Sequence, residues 1–527
     1  MNEINRINRF IYCIIDCVRS EQFFNLIKKG LLPNFKKLME NGIFSENCIT
    51  DFPSVTYPTQ ISMITGTYTG DYRKELCHGI PLSNWMERDV YPPFLRSYGA
   101  NNLQIYKINE DLGSNCKTIL EMIGDGNKVS IAQFINRGTT YFFPENRIKL
   151  IYYYFLMKSS RNIKKTISKI NSRSIFKLLD TFKNPMKYFA NNEAPIGSLL
   201  YLFSSDLLMH TYGYESQLYK LNLLHCDKVL GFLMHELAEL GYMNDTAIII
   251  TSDHGGAKAM KVGNLSSFFR KINLTHYHPR KNLKGNLNLA EYGGVGFFNF
   301  KGIDRSSSKV CWARPTINEL KNYGPKKVDL LEVLFKIEGS HFMYYPEEDN
   351  DNFKGIIHLK RKDQKSGKIY YGTIEYRGIG NEFKTKYKCE HEEQDIFGYK
   401  NDIIASKLID NKFHSINEWL DATSHLDYPI YPDLISRHFK NPRSSDIVLS
   451  NDGSVVYNII HGKKKSNYIY FHDIGLRKST IVPLIIGGSN EIPKMEVIYC
   501  KTTDIVPTLL KMLGRKPHKS VVGESLI

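Results

Sequence analysis

Paired cysteines are what this sequence most plainly lacks. Its nine cysteines (13, 17, 48, 77, 116, 226, 311, 389 and 500) are scattered and never spaced as CxxC. That spacing excludes a thiolate zinc knuckle and a disulfide framework, and reduced thiols fit a cytoplasmic protein. Long apolar runs are missing as well. The first stretch, Phe10 to Ile15, is cut off by Asp16, too short for a signal-peptide core. No run approaches the roughly 20 apolar residues of a membrane span. The reading is therefore of a soluble, cytoplasmic chain. Glycine (37) and proline (20) are too few among 527 residues for wholesale disorder, and neither an internal repeat nor a low-complexity tract interrupts the chain.

Negative charge is also in short supply. Seventy Lys and Arg face 54 Asp and Glu, a formal net charge of +16. Such a balance favours an anionic partner: phosphate esters, nucleic acid or an acidic membrane surface. Much of the excess is local, with eleven basic residues and the single acid Asp180 between Arg147 and Lys187, beside the aromatics Tyr152, Tyr153, Tyr154 and Phe155. The expectation for this stretch is a solvated helical excursion, with peripheral contact to an acidic membrane through 147–187 as the sharper alternative. Specific nucleic-acid binding is not expected, because no fold signature for it accompanies the charge.

Three strand-like apolar runs end on aspartate. Residues 10–15 run into Asp16, 198–205 into Asp206, and 246–252 into Asp253. In an open parallel sheet the carboxyl ends of the strands share one crevice, so these carboxylates would converge there. His210 follows Asp206 by four residues and His254 follows Asp253 directly. Carboxylates and imidazoles gathered at one sheet edge suit zinc-type ions. Each pair alone has a plainer explanation, a helix cap or a turn before Gly255-Gly256; their joint occurrence is the stronger signal.

Strand and helix alternate from residue 8 to about 135 and again from 195 to 257. This predicts an α/β fold, a doubly wound and mostly parallel sheet built from 1–257 and 440–527, with the basic excursion at 140–192. The segment DIVLS (446–450) reads as the return of that core and IVPLIIGG (481–488) as a later strand of it. Residues 258–439 are more polar, with short strands and charge runs, and read as an inserted α+β cap. Thr56, in the run Ser54-Val55-Thr56-Tyr57-Pro58, sits just before a predicted helix N-terminus, where backbone N–H groups stabilise an anion. It is the candidate nucleophile, with an ordinary N-cap as the plainer alternative.

Together these residues resemble the alkaline phosphatase superfamily, in particular its type I phosphodiesterase/nucleotide pyrophosphatase branch. The resemblance covers roughly 10–135, 195–257 and 440–525. It implies an alkaline phosphatase-like core and two divalent metal ions, zinc by ligand type. One ion would be held by Asp206, His210 and a C-terminal histidine, the other by Asp16, Thr56, Asp253 and His254. His472, ahead of the 481–488 strand, takes the C-terminal place, although Asp473 follows it where the branch has glycine; His461, followed by Gly462, competes. After His78-Gly79-Ile80 the branch places an asparagine on a non-bridging phosphate oxygen, and Asn84 is the match, in a loop one residue longer than usual. Trp85 would stack on substrate or pack.

The implied activity is metal-dependent hydrolysis of phosphate diesters or pyrophosphates through a threonine nucleophile. Alternatives on the same site are a phosphoryl or phospho-alcohol transferase and a phosphomonoesterase; a non-catalytic protein that keeps the fold is a third reading. A sulfatase is disfavoured, since Thr56 to Gln60 offers neither its Cys or Ser nor its arginine.

Overall fold

The computed structural model describes residues 7–99, 104–146, 148–149, 151–152, 163–278, 281–391, 394–458 and 468–527. His461 and positions 153–162 of the basic stretch lie outside the described residues.

The apolar runs make the main sheet. Its order is Met495–Glu496, Ile43–Ile49, Ile481–Gly488, Thr246–Thr251, Arg9–Ile15, Gly197–Leu202, Lys128–Ile131 and Tyr141–Phe143. The strand at 9–15 pairs in parallel with 197–202 on one side and 246–251 on the other. Only 481–488 runs against its neighbours. Alternate side chains of these strands feed two apolar layers, as the period of two requires. Ile11 and Cys13 pack with the helices Ser20–Lys28, Ile163–Lys183 and Gln217–Glu239, while Tyr12 and Ile14 pack with Thr56–Thr65 and Ile505–Met512. With helices on both faces, the sheet is doubly wound.

A second sheet of eight antiparallel strands comes largely from the later half of the chain. Its order is Leu287–Tyr292, Val295–Phe300, Ile447–Asn451, Ser340–Pro346, Lys354–Lys362, Ile369–Arg377, Lys384–Cys389 and His414–Ser415. The position of Ile447–Asn451 corrects the reading of DIVLS as a main-sheet strand. The strand is central in the second sheet, with Val448 facing one apolar cluster and Ile447 and Leu449 facing another. Burial on both faces produces the same unbroken apolar run in either kind of sheet.

The basic stretch is partly a packed helix. Ile163–Lys183 buries Ile167, Ile175, Leu178, Leu179 and Phe182 in the main core. Its Asn171 amide donates to Ser204 Oγ at 2.7 Å, two residues before Asp206. Among the described residues no helix is long and apolar enough to cross a membrane.

Candidate metal centre

Three adjacent parallel strands deliver the carboxylates to one edge. Asp16 follows the 9–15 strand directly, and its N–H donates to the Leu202 carbonyl at 3.1 Å. Asp253 follows the 246–251 strand by two residues. Asp206 differs from expectation: its strand stops at Leu202 and a helix begins at Ser204, so Asp206 lies in the first helical turn. That places His210 one turn on, on the same face, with Nε2 at 3.2 Å from Asp206 Oδ1.

All seven residues expected at the metals are brought together. His254 Nε2 is 3.5 Å from Asp16 Oδ1, 3.8 Å from Asp253 Oδ2 and 3.2 Å from Thr56 Oγ1. His472 Nε2 is 4.0 Å from Asp206 Oδ1, and its ring stacks on that of His254 at 3.8 Å and lies 5.2 Å from that of His210. Two ligand groups emerge, Asp16–Asp253–His254 and Asp206–His254–His472, with His254 common to both. Thr56 opens the helix Thr56–Thr65, and Pro58 occupies its first turn, where a missing N–H costs nothing.

The imidazoles share one arrangement. Nδ1 of His210 is 2.9 Å from the Tyr470 carbonyl, that of His254 is 3.1 Å from the Gly255 carbonyl, and that of His472 is 2.8 Å from the Ser54 carbonyl. A carbonyl can only accept, so each Nδ1 carries a proton and each Nε2 turns inward. Metal-ligating histidines are held in this way.

The carboxylates also call for a cation. Asp16 Oδ1 is buried without a hydrogen-bond partner among the described residues, and Asp206 Oδ1 faces the imidazoles of His210 at 3.2 Å and His472 at 4.0 Å. Burial and the charges of Asp253 and Asp206 push the Asp16 carboxyl well above the usual range, and burial pushes Asp253 up to about 6. Burial works against the ionised Asp206 too, but the adjacent His210 outweighs it and holds that carboxyl low. Burial likewise opposes charge on His210, yet Asp206 raises it to about 9, whereas burial lowers His254 and His472 to about 4. Carboxylates and imidazoles at this density are a donor set that suits divalent ions of the zinc type.

Several supporting residues were not foreseen. Gln60, one turn along the Thr56 helix, donates to Asp253 Oδ2 at 2.7 Å and is itself held by Gln133 at 2.8 Å. The Cys17 N–H donates to Asp253 Oδ1 at 3.1 Å, and the Tyr201 hydroxyl donates to Asp16 Oδ2. His78 is a buried structural residue: its Nδ1 accepts from the Ile80 N–H and its Nε2 meets Ser62. Asn84 begins a short strand, Asn84–Glu87, and its amide nitrogen is 3.4 Å from Glu291 Oε1. Trp85 packs: it is buried, bonded to the Tyr98 hydroxyl and covered by the Arg443 guanidinium.

A family model described as type I phosphodiesterase / nucleotide pyrophosphatase matches residues 11–370. Mouse ectonucleotide pyrophosphatase/phosphodiesterase family member 1 is 25% identical over 236 residues, 43% of this chain and 22% of that protein. The matched segment thus spans under a quarter of that relative. Murine ectonucleotide pyrophosphatase/phosphodiesterase 5 superposes with a TM-score of 0.54 at 14% identity, covering 97% of this chain and 96% of the other. The human protein of that name gives 0.55 at 13% identity over 96% and 95%. An inactive variant of the murine protein in complex with AMP gives 0.53 at 13% identity over 97% and 96%. At these identities the likeness is one of fold.

Proposed function

From its place in the type I phosphodiesterase / nucleotide pyrophosphatase family, to which this chain belongs, we propose that it hydrolyses phosphate diesters or pyrophosphates at the sheet edge, with Thr56 as nucleophile. The observation that carries the reading is the common posture of His210, His254 and His472. Each turns Nε2 toward the aspartates at the strand ends, with Thr56 Oγ1 beside His254.

Asp206, His210 and His472 would hold one divalent ion, and Asp16, Asp253, His254 and Thr56 the other. Two such ions, when bound, lower the pKa of a hydroxyl or water and neutralise charge on a departing oxygen. The chain itself sets the direction of attack. Thr56 stands at a helix N-terminus, where the backbone dipole favours the negative charge of a transferring phosphoryl group. Its oxygen would lose its proton to solvent and form a bond to phosphorus as the ester oxygen opposite leaves with the electron pair and takes up a proton, giving a phosphoester of threonine. Water would then attack that phosphorus from the vacated side and lose a proton, while the Thr56 oxygen leaves with the P–O electron pair and is reprotonated as the phosphate product departs. Asn84 would steady a non-bridging oxygen in both steps.

The test is a screen of diesters, pyrophosphates and monoesters, with metal content measured on the same sample. The reading predicts turnover of diesters or pyrophosphates that depends on two bound ions. Metal-loaded protein that turns over only monoesters, or nothing, contradicts it.

A further inference from the structure

A hairpin of the second sheet, Leu287–Tyr292 and Val295–Phe300, packs against Asp473 and against Ser83–Asn84. Near one end of it, Glu291 accepts from the Ser83 N–H at 3.1 Å and from the Asn84 N–H at 3.4 Å with Oε2, and from the Asn84 side-chain amide at 3.4 Å with Oε1. At its turn, Asp473 accepts from the Gly294 N–H at 2.7 Å and the Val295 N–H at 3.1 Å. A Cβ on Gly293 would stand 2.7 Å from both Asp473 carboxylate oxygens, so the turn is shaped around that carboxylate. Asp473 is the residue that directly follows His472, where the branch has glycine. The same hairpin therefore touches the segment bearing a candidate metal ligand and the segment bearing Asn84.

We propose that Glu291 is a positioning residue, which fixes the Asn84 amide for a phosphate oxygen from a strand of the second sheet. Burial and the charge of Asp473 raise the Glu291 carboxyl to about 8, yet its oxygens accept from two backbone N–H groups and face the Asn84 amide nitrogen, so the Asn84 group turned to it is NH2 rather than C=O. One of the two amide hydrogens is engaged by Glu291, which leaves the second available to donate. Backbone bonds to Ser83 and Asn84 hold the main chain beneath it. The strand has other anchors: Arg88 Nη1 bonds buried Asp446 at 2.7 Å, and Arg443 bonds Glu87 at 3.1 Å. Losing Glu291 therefore loosens the aim of Asn84 while the strand stays attached.

This inference rests on the proposed phosphate-ester site, and its test separates the two. Zinc-loaded parent, Asn84→Ala, Glu291→Gln and the double variant are titrated with inorganic phosphate by calorimetry and assayed with bis(p-nitrophenyl) phosphate. A glutamine must turn its own NH2 toward one of the donors that Glu291 accepts. Each single variant should bind phosphate about tenfold more weakly, the usual scale for losing a hydrogen bond to a charged group. The double variant should match the weaker single variant within about twofold, since Glu291 acts only through Asn84. If Glu291→Gln does not fold, the same cycle with Glu291→Asp applies, because a shorter carboxylate cannot keep all three bonds to Ser83 and Asn84. Effects that multiply, an unchanged affinity in the Glu291 variant, or a parent that binds no phosphate overturn the inference. A parent that binds phosphate with the predicted coupling yet leaves the diester intact contradicts the hydrolase reading alone.

Discussion

The two proposed ligand sets face water differently. Asp16, Asp253 and His254 are sealed, at 4%, 0% and 0% side-chain exposure, whereas Asp206, His210 and His472 keep 23%, 30% and 14%. The sealed group sits where two central strands end and is braced by Gln60, Tyr201 and the Cys17 N–H. The open group is assembled from one helix turn and a C-terminal segment. The first set is thus built into the core, and the second lies nearer solvent. An ion in the sealed group should exchange slowly and contribute to stability, while an ion in the open group should exchange readily and meet substrate first.

The largest expected effect ignores the contrast. Thr56→Ala should lower diester turnover by on the order of 10³-fold or more and leave both ions in place, since six other ligands remain. Near-parental turnover in steady-state assays would remove Thr56 from the mechanism.

The contrast is tested by Asp253→Asn against His472→Ala. Asp253→Asn should lose the sealed ion and lower the melting temperature of the loaded protein by several degrees, because a neutral amide leaves Asp16 and His254 a weaker ligand set. His472→Ala should release the open ion on gel filtration and barely move the melting temperature, and His461→Ala should do neither. Equal metal loss and equal melting shifts in the first two variants would break the distinction.

A smaller effect sharpens it. Gln60→Ala should weaken metal affinity at the sealed group by about 10–100-fold, the usual cost of losing a residue that orients a ligand. The open group should keep its affinity, as read by competition with a chelator.

The smallest effect is protonic. In the metal-free protein Asp206 raises His210 to about 9, so at pH 7 that imidazole holds a proton that an incoming ion must displace. Loading the open group should release about one proton at pH 7 and about half as much at pH 9, where His210 is already half neutral. Calorimetry in buffers of different ionisation enthalpy measures this release. A release that does not fall across that window would contradict the His210–Asp206 pairing.

Much of the sealed group was legible in the sequence, because an apolar run that ends on aspartate states both its strand and its register. The Asp206–His210 pair was legible for another reason, the four-residue spacing, even though its strand ends three residues earlier than the apolar run suggests. His472 was found only through family resemblance, since no local period marks a residue beyond a two-residue strand. Gln60, Gln133, Tyr201 and Glu291 were invisible for a physical reason: each acts across a sequence separation that only the folded sheet order closes. The second sheet was the least legible. Its outer strands alternate buried and exposed positions or are short, and the apolar run Ile447–Leu449 is indistinguishable by pattern from a main-sheet strand.

The central claim is that the two groups hold a pair of ions flanking Thr56. Anomalous diffraction at the zinc edge from crystals of zinc-loaded protein tests it most directly. The account predicts two peaks about 4 Å apart, one against Asp16, Asp253, His254 and Thr56 and the other against Asp206, His210 and His472. A single peak, or two that leave either group empty, would contradict it.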